Sequence, residues 1–272
     1  MIPRKVLNNV VPIGFRGAPG MGSPIGTIWV GTGFLVKEIR ENATRFYLIT
    51  NRHVIQGQNT IIIRVADGPN ASSYSDVPVL LVDINGYRLS SHPNPNVDIV
   101  AVSIEGRLLK SNELGFNIVD ESITIDQMKQ KGVGEGDAVY TLGYPMGIVD
   151  MHHSYPICRM GCIASISSAY DGLNPIDYIV DSQTFPGNSG GPIVLKCDGV
   201  ERMGAGEKLI GILRANITYT EVLVSQQTQR SRSTMEENSG LTIVHPMDRI
   251  IDVIKLESSR IDMLTCNKSS NL

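Results

Sequence analysis

Short apolar segments separated by turn residues recur along most of the chain, and little helical periodicity links them. Regularly spaced short strands of this kind are typical of all-β sandwiches and barrels. The pattern therefore predicts an all-β protein. The candidate strands are residues 27–30, 33–38, 46–50, 60–65, 78–83 and 99–104 in the first half, and 138–143, 156–167, 178–180, 193–195, 209–215 and 241–244 in the second.

Helical periodicity is found near the C-terminal end. Pro246 is a favourable first residue for a helix. Four apolar residues after it share one helical face: Met247, Ile250, Ile251 and Ile254. We therefore expect an α-helix over residues 246–256.

The two sets of strands divide the chain into four parts. These are an N-terminal arm (1–24), a first β-barrel (25–120), a second β-barrel with the C-terminal helix (121–258) and a polar tail (259–272). Residues 108–136 contain the connection between the barrels. The tail is expected to be loose, because terminal residues are poorly ordered unless something holds them.

Two internal segments are unusually polar. Residues 68–76 and 225–239 are rich in Ser, Asn, Gln and charged residues, and we expect both to be loops. A structureless loop as long as 225–239 is functional or disordered in most compact domains. We interpret it as a solvated insertion, with a functional loop as the alternative.

A serine lies among glycines at residues 187–193, where the sequence is Gly-Asn-Ser-Gly-Gly-Pro-Ile. Glycines let the backbone turn tightly and let a substrate carbonyl approach main-chain N–H groups. Ser189 would then present its hydroxyl at a bend, with the N–H groups of Gly187 and Ser189 available as an oxyanion hole. Because a serine hydroxyl alone is a weak nucleophile, this interpretation requires a His and an Asp elsewhere.

Both partners are present, and their order is informative. His53 follows the predicted strand 46–50, and Asp98 precedes an apolar run at residues 99–102. His53, Asp98 and Ser189 occur in the chain order of chymotrypsin, not in that of subtilisin or the α/β-hydrolases.

Three segments of the chain resemble trypsin-like serine proteases. They are Leu-Ile-Thr-Asn-Arg-His-Val at 48–54, Val-Asp-Ile-Val at 97–100 and Gly-Asn-Ser-Gly-Gly-Pro at 187–192. The chain looks closest to bacterial members such as the catalytic domain of the high-temperature-requirement proteases. The resemblance extends from about residue 31 to about residue 254.

The resemblance implies a fold and a reaction. The fold is two six-stranded antiparallel β-barrels of the chymotrypsin type with a C-terminal α-helix. The reaction is that of a serine endopeptidase without a cofactor: Ser189 attacks a peptide carbonyl, His53 takes the serine proton and later protonates the leaving amine, and Asp98 fixes the His53 tautomer. The turn Gly187, Asn188 and Ser189 forms the oxyanion hole.

Each of these residues also has an ordinary structural interpretation. Ser189 could belong to a glycine-rich turn, Asp98 could cap a strand, and His53 could be a surface histidine. A second histidine, His92, precedes Asp98 in a proline-rich segment that predicts a surface turn. We do not expect His92 to be catalytic, because a general base must be held rigidly within reach of the serine.

Composition and charge restrict the binding partners and the cellular compartment that we expect. The net charge of −3 gives no general nucleic-acid footprint, and no apolar stretch is long enough to span a membrane. Residues 1–9 lack the apolar core of a signal peptide. The four cysteines form no dense disulfide framework, and none is near His53, where secreted relatives often carry a disulfide. We expect a cytoplasmic protein that acts on a protein or peptide substrate, without nucleic-acid or membrane partners.

A zinc site is the alternative for one cluster of side chains. His152, His153, Cys158 and Cys162 lie within a short span. Both cysteines fall in one predicted strand, whereas zinc motifs usually hold two cysteines on a turn. We favour two buried free thiols and predict no metal.

Asn188 suggests how the turn is ordered. In zymogen-activated relatives this position is an Asp that pairs with a newly formed N-terminal amine, and asparagine cannot make that ion pair. We therefore expect an oxyanion turn that is ordered constitutively or by a partner. We expect no PDZ domain after the catalytic part, and therefore control in trans by a partner protein or an assembly, with the segment 225–239 as a candidate control point.

The resemblance also places a specificity pocket. Its base is Gln183 with Thr184 beside it, and its walls are Arg214, Ala215, Asn216, Gly240 and Thr242. With no carboxylate at the base, we expect small or medium neutral residues at the cleavage position rather than Arg or Lys. Arg214 stands where relatives often have a small polar residue close to the catalytic Asp. Either it competes with His53 for the Asp98 carboxylate, or the strand register differs by one.

Two alternative functions are left open. An esterase or another acyl hydrolase would use the same triad. An inactive peptide-binding module would keep the groove without turnover. The intact triad argues against the inactive module, whereas Arg214 argues slightly for it.

Overall fold

The computed structural model describes residues 1–17, 26–41, 43–83, 86–150, 153–172, 177–197 and 206–269. Two β-structures lie side by side in it, and a long helix follows them. The ten strands described in the first half are β1 (Val10–Arg16), β2 (Thr27–Arg40), β3 (Ala43–Thr50), β4 (Thr60–Ala66), β5 (Tyr74–Leu80), β6 (Val82–Asp83), β7 (Gly86–Tyr87), β8 (Leu89–Ser91), β9 (Val100–Ile104) and β10 (Phe116–Asn117).

The first half is a curled, open sheet. Its order is β5-β4-β1-β2-β3-β9-β8, with β10 added in parallel to β2. Within the described residues β5 and β8 do not pair, so the expected six-stranded first barrel is wrong in its closure. The physical reason is local: the chain between β5 and β8 forms a separate hairpin, β6–β7, and β8 is only three residues long.

The second half is a closed barrel, as predicted. Its strands are β11 (Ala138–Gly143), β12 (Ile157–Ser165), β13 (Tyr178–Asp181), β14 (Pro192–Leu195), β15 (Lys208–Val224) and β16 (Ser231–Pro246). They close in the order β11-β12-β13-β16-β15-β14. Together the two halves form a chymotrypsin-like fold, which confirms the predicted fold class.

The polar segment 225–239 is not a loop. Strands β15 and β16 continue their antiparallel pairing beyond the barrel, from Thr218 opposite Asn238 to Val224 opposite Ser231, and only a short turn joins them. A two-stranded ribbon exposed on both faces needs no alternation of apolar and polar residues. Its strand structure therefore left no signal in the hydrophobic pattern.

The predicted N-terminal arm is wrong for residues 10–16. Strand β1 pairs with both β2 and β4, and Val10, Val11 and Ile13 are buried in the first half. A short helix, α1 (Arg4–Asn8), leads into it. The N-terminal segment is therefore part of the fold, because it supplies a central strand of the open sheet.

The other helices are α2 (Arg52–Ile55), α3 (Ile125–Gln130), α4 (Ser167–Tyr170) and α5 (Met247–Ser269). Helix α5 begins where predicted but extends far beyond residue 256, so the expected loose tail is helical up to Ser269. Met247 and Ile250 at its start are buried against the second half. Further along, Ser258 is buried and contacts Glu38 and Arg45 of the open sheet.

Among the described residues the hydrophobic core has three parts. One cluster fills the open sheet, one fills the closed barrel, and a third lies between them and under α5. The shared cluster includes Phe34 and Ile49 of the open sheet together with Leu142 and Tyr144 of the barrel. The two halves therefore share one apolar cluster, and the candidate catalytic side chains lie where the halves meet.

Candidate active site

His53 lies on α2, directly after the buried end of β3. The His53 N–H donates to Asp98 Oδ1 at 3.2 Å, and His53 Nδ1 contacts Asp98 Oδ2. The His53 side chain is 51% exposed, so the other edge of its ring is open to a substrate. Because Nδ1 donates its proton to the carboxylate, the neutral ring carries its lone pair on Nε2.

Side chains hold the main chain of Asp98 at its carbonyl oxygen and at its N–H. Its carbonyl oxygen accepts a hydrogen bond from Asn51 Nδ2 at 2.7 Å, and its N–H donates to His245 Nε2 at 3.3 Å. Burial alone would raise the pKa of the Asp98 carboxyl. Hydrogen bonds from His53 and from the backbone N–H of Arg52, together with the His53 charge, outweigh burial and hold this pKa below its usual range.

Ser189 lies in the turn between β13 and β14. The Asn188 N–H donates to Phe185 O at 3.0 Å, and the Gly191 N–H donates to Asn188 O at 2.9 Å. Within the described part of the chain the N–H groups of Gly187 and Ser189 have no hydrogen-bond partner. Of the three residues predicted to form the oxyanion hole, Gly187 and Ser189 can therefore offer an N–H, whereas the N–H of Asn188 is occupied.

Glycine is required at two positions of this turn. Gly187 has a φ of +96°, and a Cβ there would lie 2.5 Å from Tyr144 O. Gly190 has a φ of +84°, and its Cβ would lie 2.2 Å from Thr32 O. At both positions φ is positive and a Cβ would lie too close to a carbonyl oxygen. Any other residue would therefore displace the backbone.

Thr32 of the open sheet fixes this turn to the rest of the site. Its hydroxyl donates to Gly187 O at 2.7 Å and accepts the Tyr144 N–H at 3.0 Å. Its own N–H donates to Ser189 O at 3.1 Å. The Thr32 carbonyl in turn accepts the Thr50 hydroxyl at 2.7 Å, close to His53 in the chain. One buried threonine therefore links the serine turn to the end of β3.

His53, Gly187 and Ser189 line one cavity of about 420 Å³. Phe15 and Val30 contribute apolar surface to it. His53, Gly187 and Ser189 thus border a common space that is large enough for part of a polypeptide.

Three of the predicted pocket residues form a hydrogen-bonded cluster. The hydroxyls of Thr184 and Thr242 lie 2.9 Å apart, and Asn216 Nδ2 donates to Thr184 O at 3.0 Å. Asn238, which the sequence did not indicate, donates to the same carbonyl at 2.6 Å. Gly240 joins through its N–H, which donates to Asn238 Oδ1 at 2.9 Å. The other predicted pocket residues make no described hydrogen bond to this cluster: Gln183, Arg214 and Ala215.

Arg214 does not compete for Asp98. Its Nη1 donates to Asp177 Oδ2 at 3.1 Å, and Asp177 Oδ1 lies 2.8 Å from His245 Nδ1. The β15–β16 register shifts between Leu213 and Ala215, so Arg214 occupies an irregular position of the strand. The guanidinium therefore pairs with a carboxylate that the sequence analysis did not consider.

Sequence reasoning missed Thr32, Asn51, Asp177 and His245. Two of them carried a local signal: Thr32 lies between glycines, and Asn51 lies between a strand and the candidate base. Asp177 and His245 carried none, because their contacts depend on how distant segments pack. His92, expected on a surface turn, is buried; its N–H donates to Ile99 O at 3.1 Å, and it does not line the cavity.

The zinc alternative gains no support from the described residues. No group of three or more His, Cys, Asp or Glu side chains converges there, and His152 lies outside the described residues. Cys158 is exposed and Cys162 half-buried on β12, so the expectation of two buried thiols is wrong. Among the described helices, none has the length and apolar character to span a membrane.

Known proteins resemble this chain in sequence and in fold. A family model described as a trypsin-like peptidase domain matches residues 31–200. A probable periplasmic serine endoprotease, DegP-like, from Pseudomonas fluorescens is 26% identical over 184 residues, which cover 65% of this chain and 30% of the relative. The chain thus spans less than a third of that relative's length.

Two solved structures are similar to this chain. One is described as the HtrA-type protease AlgW with decapeptide; its TM-score is 0.50 at 18% identity, over 94% of this chain and 65% of that chain. At that identity it supports the fold alone. The MamO protease domain from Magnetospirillum magneticum has a TM-score of 0.47 at 17% identity, over 91% of this chain and 96% of that chain.

Proposed function

Since the chain belongs to the trypsin-like peptidase family, we propose that it is a serine endopeptidase in which Ser189, His53 and Asp98 carry the reaction. The observation that carries this proposal is the shared cavity. It brings the hydroxyl-bearing turn and the Asp98-bound histidine together, and Ser189 and Gly187 offer unoccupied N–H groups beside them.

The reaction proceeds by acyl transfer. The Ser189 Oγ attacks the peptide carbonyl carbon while His53 Nε2 takes the hydroxyl proton. The carbonyl oxygen becomes an oxyanion that the Gly187 and Ser189 N–H groups stabilise. The imidazolium then gives its proton to the departing amine, which leaves an ester on Ser189. Water, activated by the same histidine, hydrolyses this ester and restores the hydroxyl.

The low pKa of Asp98 supports its role. A carboxylate that stays ionised accepts the Nδ1–H bond of His53, fixes the tautomer and stabilises the imidazolium formed during attack. Arg214 does not disturb this role in the structure, since it pairs with Asp177. The Arg214 argument for an inactive peptide-binding module therefore loses its basis.

A neutral specificity pocket is the second part of the proposal. Thr184, Asn216 and Thr242 present hydroxyl and amide groups, and none carries a charge. We propose that the enzyme cleaves after small or medium neutral residues and cleaves poorly after Arg and Lys. Digestion of an unbiased peptide library would check this; a preference for basic residues at the cleavage position would contradict it.

Activation without N-terminal cleavage is the third part. Thr32 and the turn's own hydrogen bonds hold the backbone around Asn188, so an ion pair from a new N-terminus is not needed. Control by a partner or assembly, and a cytoplasmic location, stay predictions. The exposed β15–β16 ribbon is the proposed control element: replacing residues 219–237 by a short turn should change rate or specificity, and an unchanged enzyme would contradict that role.

A fluorophosphonate probe tests the central proposal. Wild type should be labelled and Ser189→Ala should not. Ser168→Ala at an exposed position of α4 serves as the matched serine control, and it should label like wild type. His53→Ala should lower peptide hydrolysis by roughly 10⁶-fold, as removal of a triad base does elsewhere, whereas His153→Ala should not. No labelling of the wild type, in any buffer, would favour a peptide-binding module.

A further inference from the structure

A second Asp–His pair lies behind the candidate triad. His245 Nδ1 and Asp177 Oδ1 are 2.8 Å apart, and the two side chains are only 1% and 9% exposed. The opposite edge of the same ring, Nε2, accepts the Asp98 N–H at 3.3 Å. This buried histidine therefore connects a carboxylate to the main chain of the candidate catalytic aspartate.

The hydrogen-bond pattern fixes the tautomer of His245. An ionised carboxylate can only accept, so the proton on the Asp177 side must be on Nδ1. The neutral ring then has its lone pair at Nε2, which is the acceptor that the Asp98 N–H requires. A flipped tautomer would set two N–H groups against each other at Asp98.

Arg214 completes the group from the other side of Asp177. Its guanidinium donates to Oδ2, and His245 donates to Oδ1, so both oxygens of this carboxylate are occupied. The guanidinium and the imidazole thus hold this carboxylate between them, in the orientation that keeps His245 in the tautomer able to accept from Asp98.

The elements involved explain what this arrangement can do. Asp177 directly precedes β13, and His245 lies near the end of β16, opposite Ile212 of β15. Both belong to the closed barrel that carries Ser189, whereas Asp98 belongs to the open sheet. The His245–Asp98 hydrogen bond thus positions the aspartate relative to the barrel that holds the serine.

We propose that His245 is a positioning residue for the proposed peptidase reaction, with Asp177 and Arg214 holding it in the productive tautomer. His245 accepts a hydrogen bond from the Asp98 N–H, and Asn51 donates one to the Asp98 carbonyl. The carboxylate then keeps the place from which it orients His53. This inference rests on the proposed function, and the experiment below separates the failure of one from the failure of the other.

Two substitutions at one position discriminate between positioning and packing. In His245→Asn the amide can still donate toward Asp177, but the side chain is too short to accept from the Asp98 N–H. In His245→Gln the longer side chain can place its carbonyl oxygen near the former Nε2. If positioning matters, asparagine should lower kcat and the fluorophosphonate labelling rate by roughly 10- to 100-fold, the size of effect seen when metal-binding histidines lose their orienting partners, with KM nearly unchanged. Glutamine should recover much of that loss.

The pH profile supplies a readout that a purely structural role would not move. A loosened Asp98 stabilises the His53 imidazolium less, so the acid limb of the kcat/KM profile should move to lower pH in His245→Asn. Thermal melting is measured in parallel. If His245→Asn does not fold, Asp177→Asn is used, since it keeps the shape of the side chain and removes the charge that fixes the tautomer.

The outcomes are distinct. Wild-type kcat and an unmoved pH profile in a folded His245→Asn, or in a folded Asp177→Asn if that variant is used, would overturn the positioning role even if the melting temperature fell. Equal losses in the asparagine and glutamine variants would also overturn it. Indistinguishable behaviour of wild type and Ser189→Ala would instead overturn the proposed function.

Discussion

The open sheet and the closed barrel hold their parts of the candidate site by different means. In the barrel, the Ser189 turn is enclosed by strands that pair around a complete circle, and backbone hydrogen bonds shape it. In the open sheet, side chains hold the site: Asn51 Nδ2 donates to Asp98 O, and Arg52 Nη2 donates to His92 O at 3.2 Å. A single substitution can therefore remove a side-chain support of Asp98 in the open sheet, whereas the barrel turn depends on its glycines and on Thr32 from the open sheet.

Helix α5 supports the open sheet, in which the described strands β5 and β8 do not pair. It starts on the barrel and continues along the open sheet, where Ser258 and Glu257 are buried. Arg45 donates to Ser258 O at 3.1 Å, and the Ser90 hydroxyl donates to Glu257 at 2.9 Å. The open sheet thus obtains from a helix some of the hydrogen bonds that a further strand pairing would supply.

Among the substitutions that test this comparison, the largest effect is expected from Gly187→Ala, which challenges the barrel side. The new Cβ would meet Tyr144 O at 2.5 Å on a backbone with positive φ, so the turn must shift. Moving one oxyanion donor costs about 10²- to 10³-fold in kcat. Peptide hydrolysis and fluorophosphonate labelling would show this loss.

Gly172→Ala is the matched control for that substitution. Gly172 also has a positive φ, +71°, but a Cβ there would meet nothing within 4 Å. This variant should lose some stability and keep its activity. If both variants kept full activity, the barrel turn would be less constrained than the structure indicates.

Thr32→Val tests the junction between the two halves. Valine keeps the shape but removes the hydroxyl, so the buried Gly187 O and Tyr144 N–H each lose a partner. We expect a loss of about 1–3 kcal/mol in the free energy of unfolding for the unpaired groups, together with a lower kcat. Chemical denaturation and hydrolysis rates measure the two effects. Thr60→Val at an exposed position of β4 should change neither.

Ser258→Ala tests the contribution of α5 to the open sheet. The Ser258 hydroxyl donates to Glu38 at 2.9 Å and accepts from Tyr47, whose pKa burial raises to about 12. Losing one such group should cost about 1 kcal/mol of unfolding free energy. Hydrogen exchange should quicken in β2 and β3 but not in β11 and β14. Uniform quickening in both halves would contradict the asymmetry between them.

The smallest effect is expected at Glu135 on the barrel surface, and it is a dependence of stability on pH. Hydrogen bonds from the N–H groups of Ile166 and Ser167 lower the pKa of Glu135 from 4.5 to about 2. Since the folded-state pKa is the lower one, this carboxylate stabilises the protein fully above about pH 4.5, and the stabilisation is lost as the pH falls through about 2.

Glu135→Gln should therefore have a lower melting temperature than wild type at neutral pH, and the difference should shrink toward pH 2. Glu236→Gln on the exposed ribbon controls for the loss of one surface charge. A difference that stayed constant across the acid range would contradict the role of the carboxylate charge.

The sequence predicted the all-β class, most strand positions and the start of α5, because those depend on local alternation and on turn residues. It missed β1, the β15–β16 ribbon and the length of α5. In the ribbon both faces are exposed, so no hydrophobic period marks it, and β1 was obscured by Pro12 and Gly14. The open edge between β5 and β8 depends on pairing between distant strands, which local pattern does not encode.

The candidate site divides in the same way. The sequence by itself determined which residues can do chemistry: a serine between glycines, and a histidine and an aspartate at strand ends in an informative order. Only the tertiary structure decided their supports, namely Thr32 across the junction, Asn51 and His245 on the Asp98 main chain, and Asp177 as the partner of Arg214. The reason is physical: the type of a reactive group is a property of one residue, whereas its orientation depends on hydrogen bonds between residues that only folding brings together.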